Sequence, residues 1–298
     1  GKFLTFTPRG NHLAADDSAL HLAAFLGFVD AIGLLLDNGA NINLLSAANG
    51  RTPLYVAAAS KNINAVKYLV SRGAKTEIPD KAGYTPMTAA VILADPDMVQ
   101  TLVEVGARTD VRSSANNLTP LVMAATNPDP FKHKSYIKIM NILLDNKADI
   151  DFPTSDGRTP LIAAAMCADQ KQAYEKVSLL LDRGAKPDRV KHGGETALML
   201  AAGRGNEKVV ERLIDRGADV NQKNGAGETA MSYANRAGKS AIISLLESKG
   251  AKPDAPVVLK NIVVKELVGT WEGYQDGMPQ AIFKLTLNKN NTFDFVAR

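Results

Sequence analysis

Apolar residues recur along most of the chain as pairs of short clusters. In the stretch 157–185, one cluster follows Thr159 and runs from Leu161 through three alanines. The second cluster places Val177, Leu180 and Leu181 at i, i+3 and i+4. This spacing puts the apolar side chains on one face of a helix. The pattern therefore predicts two amphipathic helices, A and B, joined by a turn.

Each helix pair also carries start and stop signals. Thr159 can accept a hydrogen bond from an unpaired N–H in the first helical turn, and Pro160 fits the next position, where no N–H is missed. Gly184 follows helix B, where a left-handed cap is common. We expect Thr-Pro to open helix A and glycine to close helix B.

This unit occurs seven times. The opening residues are Ser18, Thr52, Thr85, Thr119, Thr159, Thr196 and Thr229, which gives spacings of 34, 33, 34, 40, 37 and 33 residues. A Thr-Pro-Leu head with a period near 33 resembles the ankyrin repeat. The resemblance covers residues 17–254 and implies an all-α repeat solenoid. Because one copy cannot bury its own apolar face, its stability would come from stacking of neighbouring repeats.

Two copies are longer than the others. The distance from the opening residue to the closing residue is 21 in five copies, but 28 from Thr119 to Lys147 and 25 from Thr159 to Gly184. The extra residues fall inside the helix pairs of repeats four and five, so the two insertions should adjoin each other. Two prolines stop helix A of repeat four. The residues predicted to form an insertion surface after them are Phe131, Lys132, His133, Lys134 and Tyr136. Tolerated loop variation is the alternative.

The composition changes after the seventh repeat. We expect residues 1–16 to be a lead-in or cap, 17–254 the repeat domain and 255–298 a short β-rich segment. Alternating apolar residues on both sides of a polar turn predict a β-hairpin near the end of the chain. The run Gly269-Thr270-Trp271-Glu272-Gly273 resembles the start of bacterial lipocalin-like β domains. Since a lone hairpin is marginally stable, the segment either packs on the last repeat or begins a larger domain.

Composition narrows the range of partners and locations. Lys and Arg total 35 against 31 Asp and Glu, and they are interspersed, so we expect no nucleic-acid partner. No apolar stretch is long enough to predict a membrane span. The single cysteine, Cys167, excludes an internal disulfide and a cysteine-based zinc site. The chain begins with Gly1, so a targeting signal could have been removed. Cytoplasmic and bacterial extracytoplasmic locations both stay open.

The sequence offers little catalytic chemistry. Gly238-Lys239-Ser240 resembles the end of a phosphate-binding loop, but Tyr233 stands where that motif needs glycine. The histidines share no metal-ligand spacing; His21 belongs to the repeat pattern, and we expect the others at the surface. The carboxylates Asp37, Asp145, Asp182 and Asp215 recur at one position of helix B and predict a solvated face. We therefore predict no catalytic residue, no metal, no cofactor and no enzyme activity.

Partners of ankyrin proteins contact the hairpin tips and the exposed end of helix A, which line a concave face. Carried over to the matching positions, the resemblance implies partner-binding residues in every repeat but the last. These are Phe25, Leu26, Arg51, Tyr84, Ile92, Leu93, Leu118, Asn127, Arg158, Met166 and Arg204. Apolar residues dominate the first five repeats, and an apolar patch bordered by Arg51 and Arg158 is typical of a protein-binding groove. The alternative is that the N-terminal segment, with Phe3 and Phe6, covers part of it.

These observations predict a non-enzymatic scaffold that binds another protein through the concave face and the adjoining insertions. The alternative function is a repeat scaffold that presents a C-terminal β-barrel-like domain to a small ligand. An enzyme regulated by the array, with its catalytic domain outside the sequence, has no support in these residues. The identity of the partner and self-association both stay open.

Overall fold

The computed structural model describes residues 18–113 and 117–252, together with the backbone of two strands near the C-terminus. The predicted lead-in, 1–16, and most of the segment 255–298 lie outside the described residues. Contacts separate the chain into two units after Asp254, and each unit is considered by itself. The assignment of these units as functional domains stays a prediction.

The described part of the first unit holds fourteen helices in seven successive pairs, as the sequence pattern predicts. The A helices are α1 (Ala19–Leu26), α3 (Pro53–Ala59), α5 (Pro86–Ile92), α7 (Pro120–Thr126), α9 (Pro160–Ala165), α11 (Ala197–Arg204) and α13 (Ala230–Arg236). The B helices are α2 (Val29–Asp37), α4 (Ile63–Ser71), α6 (Pro96–Glu104), α8 (His133–Asp145), α10 (Gln170–Asp182), α12 (Glu207–Asp215) and α14 (Ser240–Ser248). Each A helix contacts the A helix of the next repeat. Stacking therefore continues along the whole array.

Threonine side chains open the A helices as predicted. The Thr52 Oγ1 accepts the Tyr55 N–H at 3.1 Å, and Thr159 accepts the Ile162 N–H at 3.3 Å. Ser18 makes a different contact, because its hydroxyl bonds the His21 Nδ1 at 2.9 Å. The His21 Nε2 then donates to the Arg51 carbonyl oxygen at 2.9 Å. His21 thus ties the first repeat to the turn that precedes the second.

A single apolar core runs along the array. Its buried members extend from Leu20 in the first repeat to Ala251 after the seventh. Small residues let neighbouring A helices approach closely: in α9, Ala163, Ala164 and Ala165 are all buried beside Leu161. The core therefore belongs to the stack and not to any one repeat.

One ladder of ion pairs joins successive B helices. The aspartate that ends a B helix pairs with the basic residue just after the B helix of the next repeat. The pairs are Arg72 with Asp37 at 2.6 Å, Arg183 with Asp145 at 2.6 Å, Arg216 with Asp182, and Lys249 with Asp215 at 3.2 Å. The predicted solvated face is therefore also a set of contacts between repeats. Such exposed pairs are each worth roughly 0.2–1 kcal/mol.

A second ladder joins the turns that follow the B helices. A side-chain oxygen in one turn accepts a backbone N–H from the next turn at 2.8–3.1 Å. The acceptor and donor pairs are Asn43 with Lys75, Glu77 with Arg108, Asp151 with Lys186, Asp188 with Asp219, and Asn221 with Lys252. Five of the six junctions between described repeats therefore share the same hydrogen bond, from a backbone N–H to a side-chain oxygen of the preceding turn.

The junction between repeats three and four lacks both ladders within the described residues. Asp110 stands at the acceptor position of the turn ladder, but the Arg108 guanidinium of its own repeat binds it at 3.0 and 3.1 Å. At the ion-pair position, Glu104 faces a repeat that carries Asn146 instead of a basic residue. In the ranges 18–113 and 117–252, these two repeats are joined by the packed core and by scattered contacts, such as Thr109 Oγ1 with the Asn146 carbonyl oxygen at 3.3 Å.

The two strands of the second unit form an antiparallel pair. Strand β1 (Phe283–Leu287) runs beside β2 (Phe293–Ala297), with Phe283 opposite Ala297 and Leu287 opposite Phe293. This pairing lies where the alternating pattern predicts a hairpin. Its connecting turn falls outside the described residues, and so does the rest of the predicted β-rich segment.

Candidate protein-binding surface

A pocket of about 340 Å³ opens across the A helices of repeats three to five. We call it the A-helix pocket. It is lined by Tyr84, Val91, Ile92, Leu118, Val122, Met123, Thr126, Asn127, Pro128, Tyr136, Arg158 and Ala163. Most of these side chains are apolar, and Ile92 is 45% exposed at the edge. The pocket is therefore an open apolar depression centred on α7.

Side chains of different size occupy equivalent positions of neighbouring helices in this depression. Met123 lies four residues after Thr119, and the matching residue after Thr159 is Ala163. Both line the pocket. Because alanine is much smaller than methionine, it leaves space unfilled between α7 and α9. This difference in side-chain size contributes to the space between α7 and α9.

The insertion of repeat four supplies the wall and the floor of the pocket. Helix α7 ends at Thr126, and Asn127 is extended, with ψ 126°, as expected of a residue before proline. Asn127 and Pro128 form the wall. Tyr136, 1% exposed, forms the floor and donates its hydroxyl to the Ile92 carbonyl oxygen at 3.3 Å. Burial raises the pKa of Tyr136 above its ordinary value, which keeps the phenol neutral.

A buried lysine supports this wall from behind. The Lys176 Nζ donates to the carbonyl oxygens of Ala125 at 3.1 Å and Asn127 at 2.5 Å, and it lies 5.9 Å from the centroid of the Tyr136 ring. The Lys176 side chain has no exposed surface, and burial lowers its pKa. The ammonium thereby satisfies carbonyl groups that α7 leaves unpaired where it stops before Pro128.

Lys176 was not among the residues predicted from the sequence, although the sequence carries a signal for it. The other six repeats place an apolar residue at the matching position of helix B. These residues are Ala31, Ala65, Met98, Ile139, Val209 and Ile242. A lysine at an apolar position of a repeat indicates a buried acceptor nearby. The structure identifies the acceptors as the carbonyl groups of Ala125 and Asn127, where α7 ends early.

The predicted insertion surface divides into an exposed part and a buried part. Phe131 is 97% exposed, and Lys132 and Lys134 are also exposed. The prediction is wrong for Tyr136 and for His133, whose Nε2 lies 2.6 Å from the Glu175 Oε2. Helix α8 has 13 residues where most B helices have 9, and its added turn carries these two side chains inward. Glu175 directly follows the second insertion, so the two longer repeats contact each other here, and the adjoining of the insertions themselves stays a prediction.

The pocket brings together five of the eleven residues predicted to bind a partner. They are Tyr84, Ile92, Leu118, Asn127 and Arg158. The other six do not line it: they are Phe25, Leu26, Arg51, Leu93, Met166 and Arg204. Five further residues line the pocket but were not among the residues predicted to bind a partner: Val91, Val122, Met123, Thr126 and Ala163. Pro128 was predicted only as a helix stop.

Two of the predicted residues outside the pocket belong to a small cluster beside it. Leu93 packs against Tyr55 and Ala89, and the Arg51 guanidinium lies over the Tyr55 ring at 4.9 Å. The Arg51 Nε is also 3.7 Å from the Asp80 Oδ2. Burial raises the pKa of Tyr55 to about 12. This cluster holds repeats two and three together next to the pocket.

The described residues contain no group of three His, Cys, Asp or Glu side chains arranged to hold a metal ion. The Cys167 thiol is free and buried. None of the helices in the described ranges combines the length and the apolar character that crossing a membrane requires. The longest, α8 and α10, have 13 residues each.

The fold defines an all-helical repeat solenoid. A family model described as ankyrin repeats in three copies matches residues 4–80, 20–113, 87–191 and 166–256. The chain belongs to the ankyrin-repeat family. Members of this class are generally non-enzymatic modules for protein–protein interaction. The family match ends at residue 256, and the lipocalin-like resemblance of the C-terminal segment has no support.

Two solved structures resemble the array closely in fold. The ankyrin repeat domain of Bcl-3 has a TM-score of 0.67 at 27% identity, over 78% of this chain and 98% of that one. The human ASB11 ankyrin repeat domain has a TM-score of 0.62 at 28% identity, over 80% of this chain and 100% of that one. Both matches confirm the predicted helical array.

Curated relatives match only in part. The mouse B-cell lymphoma 3 protein homolog is 33% identical over 107 residues, which is 36% of this chain and 24% of that protein. Human ankyrin repeat and SOCS box protein 6 is 30% identical over 135 residues, 44% of this chain and 31% of that protein. An L-asparaginase of Dirofilaria immitis is 27% identical over 168 residues, which is 56% of this chain and 26% of that protein. The chain thus spans about a quarter to a third of these relatives.

Proposed function

We propose that this chain is a non-enzymatic scaffold that binds a partner protein through the concave face of its ankyrin array, with the A-helix pocket at the centre. The observation that carries the proposal is an open apolar pocket that three successive repeats share. Exposed apolar surface is costly in water and often marks an interaction site. A pocket of this kind accepts a protruding side chain and excludes water around it.

The surface on either side of the pocket extends the proposed site. Leu26 is 43% exposed at the end of α1, and Phe25 precedes it. Arg51, Leu93, Met166 and Arg204 occupy matching positions of other repeats and belong to the same proposed face. From the insertion, Phe131, Lys132 and Lys134 remain exposed and are the residues proposed to add contacts. Their exposure supports a role in binding without assigning one.

Replacement of Ile92 by Asp tests the proposal. A photo-crosslinking amino acid is placed at the exposed Thr126 of α7 in the full chain, and cross-linked products are collected from a lysate of the source organism. We expect the chain with no other change to cross-link a partner. The Ile92→Asp variant should give at least tenfold less of that product, because a charged side chain at the pocket edge opposes burial of an apolar group.

The matched control is Leu34→Asp, which makes the same chemical change on α2 of the first repeat, at a side chain that is 66% exposed. Leu34→Asp should leave the cross-link yield unchanged. Thermal unfolding of both variants shows whether the array stays folded. Equal yields from Ile92→Asp and the unaltered chain would mean that the pocket is not the binding site.

A further inference from the structure

Arg158 is the one charged residue among the described side chains that line the A-helix pocket. Its Nε donates to the Asp156 Oδ2 at 2.6 Å. Within the described residues, Nε makes the hydrogen bond of this guanidinium, and the terminal Nη1 and Nη2 atoms donate to no acceptor. A guanidinium can bind a carboxylate through two parallel N–H groups. The outer edge of Arg158 is therefore an unused donor pair at the rim of an apolar pocket.

Asp156 holds Arg158 in place and does not use up its binding capacity. The Asp156 carboxylate accepts hydrogen bonds from the Thr154 hydroxyl and from Arg158. Partial burial acts to raise the pKa of Asp156, but these hydrogen bonds and the positive charge hold it below its usual value. The aspartate is thus ionised at neutral pH. It orients the guanidinium through Nε and leaves the terminal nitrogens available.

The size of the pocket limits what can enter. Its volume of about 340 Å³ lies at the small end of the roughly 300–1,000 Å³ that ligand pockets occupy. One large apolar side chain with its flanking backbone fits this space better than a folded element does. Asp156 offsets the charge of Arg158, but no carboxylate lines the pocket itself, so the free N–H groups of Arg158 are what a neighbouring residue meets. An acidic neighbour accepts hydrogen bonds from these N–H groups, whereas a basic neighbour offers no acceptor.

We propose that the A-helix pocket binds a segment of a partner protein in which a large apolar residue lies next to an acidic residue. The apolar side chain packs among Ile92, Met123 and Ala163, and the neighbouring carboxylate binds the terminal nitrogens of Arg158. This inference rests on the proposed function and adds the chemistry of the partner. Loss of the carboxylate should weaken binding roughly fivefold, because the ion pair is partly exposed to water.

Selection from random 12-residue peptides displayed on phage tests the inference. The full chain and four variants are used as bait: Arg158→Glu, Arg158→Gln, Arg112→Glu and Ile92→Asp. Arg112 is the matched control, because it is an exposed arginine of the neighbouring turn that stacks on Phe152 at 4.1 Å and does not line the pocket. Arg158→Gln serves as a second variant in case the reversed charge disturbs Asp156.

We expect the unaltered chain and Arg112→Glu to enrich peptides with an apolar residue beside Asp or Glu. Arg158→Glu should enrich apolar residues beside Lys or Arg, and Arg158→Gln should show no charge preference. Enrichment of apolar residues without any acidic neighbour would overturn the carboxylate contact and leave the proposed function standing. If Arg112→Glu also loses the preference for acidic neighbours, the carboxylate contact with Arg158 would be overturned as well. If the Ile92→Asp variant still enriches these peptides, or if the unaltered chain enriches none, the result would contradict the proposed function itself.

Discussion

Lys147 closes helix α8 in a backbone conformation that suits glycine. Its φ is 65°, in the left-handed region. The other six repeats place glycine at this position, with φ between 84° and 92°. A residue with a Cβ is disfavoured there because the Cβ approaches the carbonyl oxygen. At this position the fourth repeat therefore carries local strain that the other six repeats avoid.

Replacement of Lys147 by Gly should stabilise the array. Release of the left-handed strain should raise the free energy of unfolding by about 1 kcal/mol, after the greater freedom of glycine in the unfolded chain is subtracted. Urea denaturation followed by circular dichroism measures the change. The control is Lys138→Gly, in the interior of α8, which should lower the free energy of unfolding by about 1 kcal/mol. A loss of stability in Lys147→Gly would contradict the interpretation of strain.

At the scale of elements, the insertion of repeat four is partly core and partly surface. Phe131 and Tyr136 belong to the same insertion, yet Phe131 is almost fully exposed and Tyr136 almost fully buried. The difference arises because Phe131 lies in the turn before α8, whereas Tyr136 lies on the face of α8 that packs under α7. The insertion therefore has two roles: it closes the pocket from below and presents an aromatic side chain to solvent.

Replacement of each aromatic residue by Ala should separate these roles. Tyr136→Ala should lower the free energy of unfolding by about 3–5 kcal/mol, since it leaves a cavity in the core. Phe131→Ala should change it by less than about 0.5 kcal/mol. Urea denaturation of both variants gives the comparison, and Tyr136→Phe controls for loss of the hydroxyl alone. Similar losses at the two positions would show that the insertion packs differently.

At the scale of the whole array, the junction between repeats three and four is the least reinforced of the six. Its described residues form neither the ion-pair ladder nor the turn ladder, whereas the three junctions that follow it have both. Missing contacts of these two kinds remove roughly 1 kcal/mol from this junction. Because each repeat of a solenoid contacts only its neighbours, one weak junction can divide the unfolding of the array.

Hydrogen exchange during urea unfolding should therefore show two groups of helices. We expect α1 to α6 to lose protection at lower urea than α7 to α14, because repeats four to seven retain both ladders. Mass spectrometry of peptides from each repeat provides the measurement. Asn146→Arg, which offers Glu104 a ladder-type partner, should narrow the difference between the groups. One shared midpoint for all helices of the unaltered chain would show that the missing contacts carry no weight.

Local sequence signals are sufficient to predict the number, order and type of the helices in the array. Thr159 caps a helix, Pro160 begins it and Gly184 ends the pair through interactions that span only a few residues. Such local signals repeat with the period of the structure, so they can be interpreted without coordinates. The two longer repeats were visible for the same reason, as changes in that spacing.

The surface that these helices present depends on contacts between repeats, which the local pattern does not specify. In the pocket, Met123 of one repeat lies beside Ala163 of the next. Lys176, which supports the pocket wall, donates to the carbonyl oxygen of Ala125, 51 residues earlier in the chain. In the ion-pair ladder, Arg183 binds Asp145, 38 residues earlier. These contacts depend on how one repeat is set against the next. A local pattern predicts that repeats stack, but the shape left between side chains follows from packing across the stack.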